Sequence, residues 1–220
     1  VAASTPDVNS TPLSEAGEPP TPTFPHQAHI VYQVFYGVWM AGKATLTWQY
    51  SGTHYRLESM ITPLIGSPIR YLSEGKIDAT GLKPTRFTAW RENRQREHAE
   101  FDWENKQLRY GEHSMQQTTL QKGAQDIFSI TYQLALKGAV LLENTTQITT
   151  GKKVQNYPFT LTGEARLATD DANSPRALIL LSETPDTSTQ FWLSPDIANQ
   201  PVRIIPVSYT HLRAHETRED

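Results

Sequence analysis

A chain of 220 residues with 20 basic and 23 acidic side chains, net charge −3, is long enough for one domain with a real core, or at most two small ones. That charge gives no electrostatic reason to expect nucleic acid or an anionic membrane as partner, and 37% hydrophobic content is polar for a globular protein but well short of disorder. The absence of cysteine excludes disulfides, thiolate metal sites and a cysteine nucleophile, and apolar runs such as 139–142 are far too short to span a bilayer.

Residues 1–25 place Pro6, Pro12, Pro19, Pro20, Pro22 and Pro25 among Ser, Thr, Ala and acids, with no apolar period. Such a segment cannot bury enough surface to offset its ordering entropy, so a disordered, extended, proline-rich linker is expected. A linker implies something to be linked to. Because the chain begins at Val1, a signal or membrane anchor is expected upstream.

From Ala28 the pattern becomes period two. HIVYQVFYG reads as a strand, followed by an apolar elbow between Gly37 and Gly42. In GKATLTWQY, Ala44, Leu46, Trp48 and Tyr50 fall on one side and Lys43, Thr45, Thr47 and Gln49 on the other. After the turn SGTH, YRLESMI turns Tyr55, Leu57 and Ile61 inward, so the first three strands form an antiparallel meander. IRYLSEGKID, TRFTAWREN, REHAEFDW and QLRYGE continue it, with turns at ATGLKP, NRQ and ENKQ. One segment breaks the rhythm. GAQDIFSITYQLALKGA carries Ile127, Ile130 and Leu134 at helical spacing between Gly123 and Gly138, which predicts one amphipathic helix over about 124–137. Its apolar stripe is expected to lie on the concave face of the sheet. Strands resume at NTTQITTG, KKVQNYPFTLTGEARLAT, RALILLSET, STQFWLSP and PVRII, with DDANSP as a loop.

The last residues depart from all this. His211 and His215, four apart and followed by Glu216, could be two metal ligands and an acid on one helical face. However, Pro206–Thr217 resembles, without a gap, the translation of the transposon-end adapter used in sequencing libraries. The reading frame is therefore expected to run off its insert at or just after Ile205 or Pro206. Residues 207–220 are then a non-native tail, and the metal reading falls with it.

Between about Phe24 and Ile205 the chain resembles the DUF3108 family of exported bacterial proteins. The resemblance is carried by YQVFYGVWMAGKATLTW, YRLES, EGKIDATGLKPTRF, AEFDW, GAQDIFSITYQL and FWLSPDIANQPVRI, in that order. It implies a periplasmic or other envelope location, behind an N-terminal signal or anchor. Related β-rich envelope folds that curl a sheet around helices bind acyl chains, an analogy at the level of fold alone.

Three groups of residues carry chemistry. His98, Glu100 and Asp102 alternate along one strand and could act as a metal or acid–base trio; a solvated face paired with Arg91, Arg94 and Arg96 is the favoured reading. Asp126, Ser129 and Tyr132 recur at spacing three on the helix and form the candidate polar site, although no histidine has a sequence-level claim to activate Ser129. The five tryptophans and nine tyrosines suit either a packed core or an apolar cavity. Lining for such a cavity would come from Leu46, Trp48, Leu57, Phe101, Trp103, Ile130 and Leu134.

The expected fold is a mainly β domain over 26–206: a strongly curved antiparallel sheet or open half-barrel with one main α-helix packed in its concavity. A closed lipocalin-like barrel is the alternative. The function this supports is a non-enzymatic envelope protein binding a lipid or other apolar small molecule, or an envelope protein. The alternatives are an envelope hydrolase whose triad assembles only in three dimensions, and a structural scaffold. No cofactor, metal or nucleic acid is expected, and contact with a membrane is expected only through an anchor outside this chain.

Overall fold

The computed structural model describes residues 24–36, 39–142, 144–167, 175–185 and 187–207. The proline-rich segment before Phe24, most of the DDANSP loop, and the tail with His211, His215 and Glu216 lie outside them. Eight strands form one antiparallel meander in sequence order: β1 (Gln27–Tyr36), β2 (Trp39–Ser51), β3 (His54–Pro63), β4 (Ile69–Asp78), β5 (Gly81–Arg91), β6 (Arg94–Asp102), β7 (Gln107–Gly111) and β8 (Met115–Thr119). β9 (Gln125–Asp126), α1 (Ser129–Lys137), a 3-10 turn (Gly138–Leu142), β10 (Thr146–Thr149) and β11 (Val154–Tyr157) follow. The second large sheet is β12 (Thr160–Arg166), β13 (Arg176–Glu183), β14 (Ser188–Ser194) and β15 (Gln200–Val207), again antiparallel in sequence order. Among the described residues the chain is therefore mainly β with one α-helix, and none of the sheets closes on itself: an open half-barrel rather than a closed one.

The alternation read from the sequence governs the strands. In β2, Leu46 and Trp48 are buried while Lys43 and Gln49 face solvent. The turn expected at NRQ falls one step earlier, at Glu92–Asn93, because both residues adopt positive φ (53° and 59°) in a two-residue hairpin. KKVQNYPFTLTGEARLAT is two strands rather than one. Pro158, which has no N–H to give a ladder, separates β11 from β12, and the two belong to different sheets. β8, with its polar MQQTT, carries no apolar alternation and was not expected.

At the bulge between Glu74 and Gly75 the strands approach closely. A Cβ on Gly75 would lie 2.2 Å from the Lys83 carbonyl oxygen and 2.7 Å from Pro84 Cα, both backbone atoms. Gly75→Ala should therefore lower stability by roughly 1–3 kcal/mol, seen as a reduced urea midpoint at unchanged slope. An unshifted midpoint would mean that β4 and β5 separate freely here.

The helix departs from expectation in its start and in its surroundings. Residues 124–128 are not helical: Gln125 and Asp126 pair in parallel with Ile148 and Thr149 of β10, and a turn leads into Ser129. Nor does α1 present a single stripe, because every residue from Ser129 to Ala135 is buried. Ile130 and Leu134 pack with Ile148, Phe159, Leu180, Phe191 and Leu193, on the side of the second large sheet. Tyr132 and Leu136 pack with Leu46, Trp48, Tyr55, Leu57 and Leu82 of the first. A third cluster joins Phe87, Ala99, Phe101, Leu108 and Leu120 beneath Ile127 and Phe128. The polar residues on the helix are accommodated individually; Gln133, for example, accepts the Leu82 backbone N–H at 2.7 Å. β1 and β15, the edge strands of the two large sheets, meet where the Tyr32 hydroxyl donates to the Pro201 carbonyl at 2.7 Å.

Candidate functional site

The buried polar centre forms where the chain enters α1. Asp126 is fully buried, and its Oδ1 accepts the backbone N–H groups of Phe128 and Ser129, both at 2.9 Å. The Ser129 hydroxyl in turn accepts the Asp126 N–H at 2.9 Å. Together these satisfy donors that the first helical turn would otherwise leave open. Asp126 Oδ2 accepts from the Ser73 hydroxyl at 2.5 Å, and Ser73 Oγ lies 3.0 Å from the Tyr55 hydroxyl. Since Ser73 gives its proton to the carboxylate, Tyr55 is the donor in that second bond. Burial pushes the Asp126 carboxyl above its ordinary value, against the hydrogen bonds from Ser73, Ser129 and Phe128 that favour the charged form.

Of the candidate polar residues, the structure brings Asp126 and Ser129 together and leaves Tyr132 apart. Tyr132 faces Trp48, with ring centroids 4.4 Å apart and nearly parallel, and Phe24 packs edge-on against both rings. Its hydroxyl is buried with no hydrogen-bond partner among the described residues. Tyr55 and Ser73 complete the network and escaped the sequence reading, since nothing local marks two strand residues as neighbours of Asp126. The arrangement accepts protons and fixes a helix start. The Ser129 hydroxyl accepts the Asp126 N–H and donates to the Asp126 carbonyl at 3.3 Å, so its hydrogen-bond partners among the described residues include no histidine of the usual nucleophile-activating kind.

The seven candidate cavity residues divide among the three clusters: Leu46, Trp48 and Leu57 in one, Phe101 with partly buried Trp103 in another, Ile130 and Leu134 in the third. In this structure they pack on one another and on the helix. The indole N–H groups of Trp48 and Trp103 donate to the Pro25 and Pro84 carbonyls, at 2.9 and 2.6 Å.

His98, Glu100 and Asp102 do share a strand face, but their partners differ from the expected arginines. Glu100 pairs with Arg109 at 3.3 Å, and Asp102 accepts the Asn105 N–H at 2.9 Å to close the β6–β7 turn. Arg91 and Arg96 turn instead to Glu97 and Glu112. His54 lines an open groove of about 720 Å³, together with His26, Tyr50, Arg56 and Glu74. Among the described residues its Nδ1 meets the Thr53 hydroxyl, at 3.4 Å.

The most unusual surface is at one end of the first sheet. The β1–β2 hairpin brings Phe35 opposite Met40, and the β3–β4 loop begins beside it, where the Leu64 N–H donates to the Ala41 carbonyl at 2.8 Å. On these neighbouring tips Ile65 is 94% exposed, Trp39 77% and Leu64 66%, with Phe35 and Met40 also exposed. The sequence signal was an apolar elbow between Gly37 and Gly42 and the pair Leu64–Ile65 between Pro63 and Gly66. Neither was singled out as a site. Around the middle of the sheet the outer face is charged instead, where Arg56, Glu58, Arg70 and Glu74 form a chain of ion pairs.

A meander and a second antiparallel sheet enclosing one buried helix, with its carboxylate at the helix start, define a β-shell domain built around an internal helix. This chain belongs to the family described as "Protein of unknown function (DUF3108)", whose model matches residues 31–210. No curated protein and no solved structure matches it.

Proposed function

We propose that this chain is a non-enzymatic domain of the bacterial cell envelope that works by binding, through the apolar end of its first sheet. The observation that carries the reading is the exposure of Trp39, Leu64 and Ile65 on two segments that adjoin at one end of the sheet; exposed large apolar side chains gathered at one place mark interaction sites. The residues with chemical capability support it from the other side, since Asp126 holds the helix start, Asp102 the β6–β7 turn, and Glu100 a cross-strand ion pair with Arg109. An envelope location is supported by the chain's resemblance to a family of exported bacterial proteins and by the proline-rich composition before Phe24.

A second reading, a lipid taken up between α1 and the first sheet, is favoured by one observation: the Tyr132 hydroxyl, on the side of α1 that packs on that sheet, is an interior polar group without a partner among the described residues, open to a polar end of such a ligand.

The test is photo-crosslinking in cells, with a benzophenone amino acid placed at Trp39, at Ile65 or, as a control, at Leu161, which is 48% exposed on β12. Adducts at Trp39 and Ile65 but not at Leu161 are expected. Equal labelling at all three positions, or none, would sink the reading. Native mass spectrometry of the purified protein addresses the second reading: a near-stoichiometric bound lipid would move the site to the interior.

A further inference from the structure

We infer that the occupant of this apolar end is the surface of a lipid bilayer, entered by Trp39, Met40, Leu64 and Ile65; the inference rests on reading that end as the contact surface. Shape is the first argument. Leu64 and Ile65 sit on a loop running from Pro63 to Pro68, and Trp39 and Met40 open β2 beside it, so the apolar side chains stand on projecting tips. Projecting apolar tips enter the acyl boundary of a membrane without needing a complementary groove.

Composition agrees. Tryptophan is enriched at the membrane–water interface, where its ring lies among headgroups, while leucine and isoleucine partition deeper. Flanking charge agrees as well: Lys43 on β2 and Arg94 at the start of β6 are exposed near this end of the sheet, with Glu92 as the exposed acid among them. The net charge of −3 therefore gives no guide to this locality.

A second copy of the chain fits less well. Phe35, Trp39, Met40, Leu64 and Ile65 are few beside the roughly 20–30 residues per side of a stable protein interface. For a bilayer the same side chains suffice, because an element lying in the interface needs to bury only about 5–10 Å of depth. No helix among the described residues is long and apolar enough to cross a membrane.

The experiment is co-sedimentation of the full chain with vesicles of equal parts phosphatidylethanolamine and phosphatidylglycerol, at low and high salt. The wild type should bind and retain most of its binding in high salt, because apolar insertion is not screened. The double variant Leu64→Ser, Ile65→Ser should bind at least about tenfold more weakly, and Leu161→Ser should bind as the wild type does. Brominated lipid should quench wild-type tryptophan fluorescence, and Trp39→Phe should remove most of that quenching. All three variants change exposed positions, and unchanged far-ultraviolet dichroism would confirm their folding.

Failure of the wild type to sediment, equal binding by the double variant, or complete release by salt would each overturn the inference. So would dimers in sedimentation velocity that the double variant dissolves. Protein adducts at Trp39 and Ile65 in cells, combined with no vesicle binding, would reject the bilayer and keep the contact surface. Failure of both experiments would reject both.

Discussion

Asp126→Ala is expected to destabilise the domain by about 3–5 kcal/mol, well above a typical substitution. The variant removes the acceptor for two backbone N–H groups at the start of α1, a loss worth roughly 0.5–2 kcal/mol by itself. It also strands the buried Ser73 hydroxyl and its link to Tyr55, and each unsatisfied buried donor costs about 1–3 kcal/mol. Asp126→Asn should cost far less, since the amide oxygen can still accept both N–H groups. The pair of variants also reports on charge. Burial raises the Asp126 pKa in the folded chain above the ordinary 3.8, so the folded state holds the proton more tightly than the unfolded state does. The stability this contributes is fully present below the unfolded value and is lost as pH rises through the raised folded value. Urea titrations across that window should find the wild type gaining on Asp126→Asn as pH falls. A gap that narrows on acidification would mean the hydrogen bonds outweigh burial.

Trp48→Ala should rank second, at about 3–5 kcal/mol for emptying a large core site. Trp48 is fully buried, stacks between Tyr132 and Tyr55 at 4.4 and 5.6 Å, and ties Pro25 to the sheet through its indole N–H. Trp48→Phe keeps an aromatic ring against Tyr132 and gives up the bond to Pro25, so a loss of about 1–2 kcal/mol is expected. Denaturant midpoints give both numbers. Near-ultraviolet dichroism should also collapse in the alanine variant, since the two stacked rings of Tyr132 and Tyr55 lose their common partner. A loss below 1 kcal/mol for alanine would mean that α1 slides in to fill the space.

Much of the shell was legible. Period-two alternation gave the strands from β1 to β7, because a half-buried strand must put its apolar residues on one face, as Leu46 and Trp48 do. The helix was legible in place but not in character. A stripe of Ile130 and Leu134 predicts one buried face, whereas a second sheet covers the other, and Thr131 and Gln133 lie inside through bonds that no periodicity announces. Its start was misread for a related reason: the side chain of Asp126 supplies the first acceptor, so the helix cannot begin before it. Asp126 and Ser129 were visible as a local pair. Tyr55 and Ser73 were not, because they arrive from β3 and β4 by tertiary packing alone. The exposed tips were hidden differently. Apolar residues in loops have no period, and only strand pairing brings Trp39 and Ile65 to the same end of the sheet.

The enclosure of α1 between two sheets carries a consequence for how the chain acquires its structure. The first eight strands pair only with sequence neighbours, so hairpin after hairpin can zip as the polypeptide emerges, at low loop-closure cost. The helix then docks by Tyr132 and Leu136 onto a finished surface, leaving Ile130 and Leu134 bare until β13 and β14 arrive. For that interval the nascent molecule is sticky. The vulnerable species in its biogenesis is thus a half-wrapped intermediate, and slowing the last hairpins would bring aggregation well before any loss of native stability.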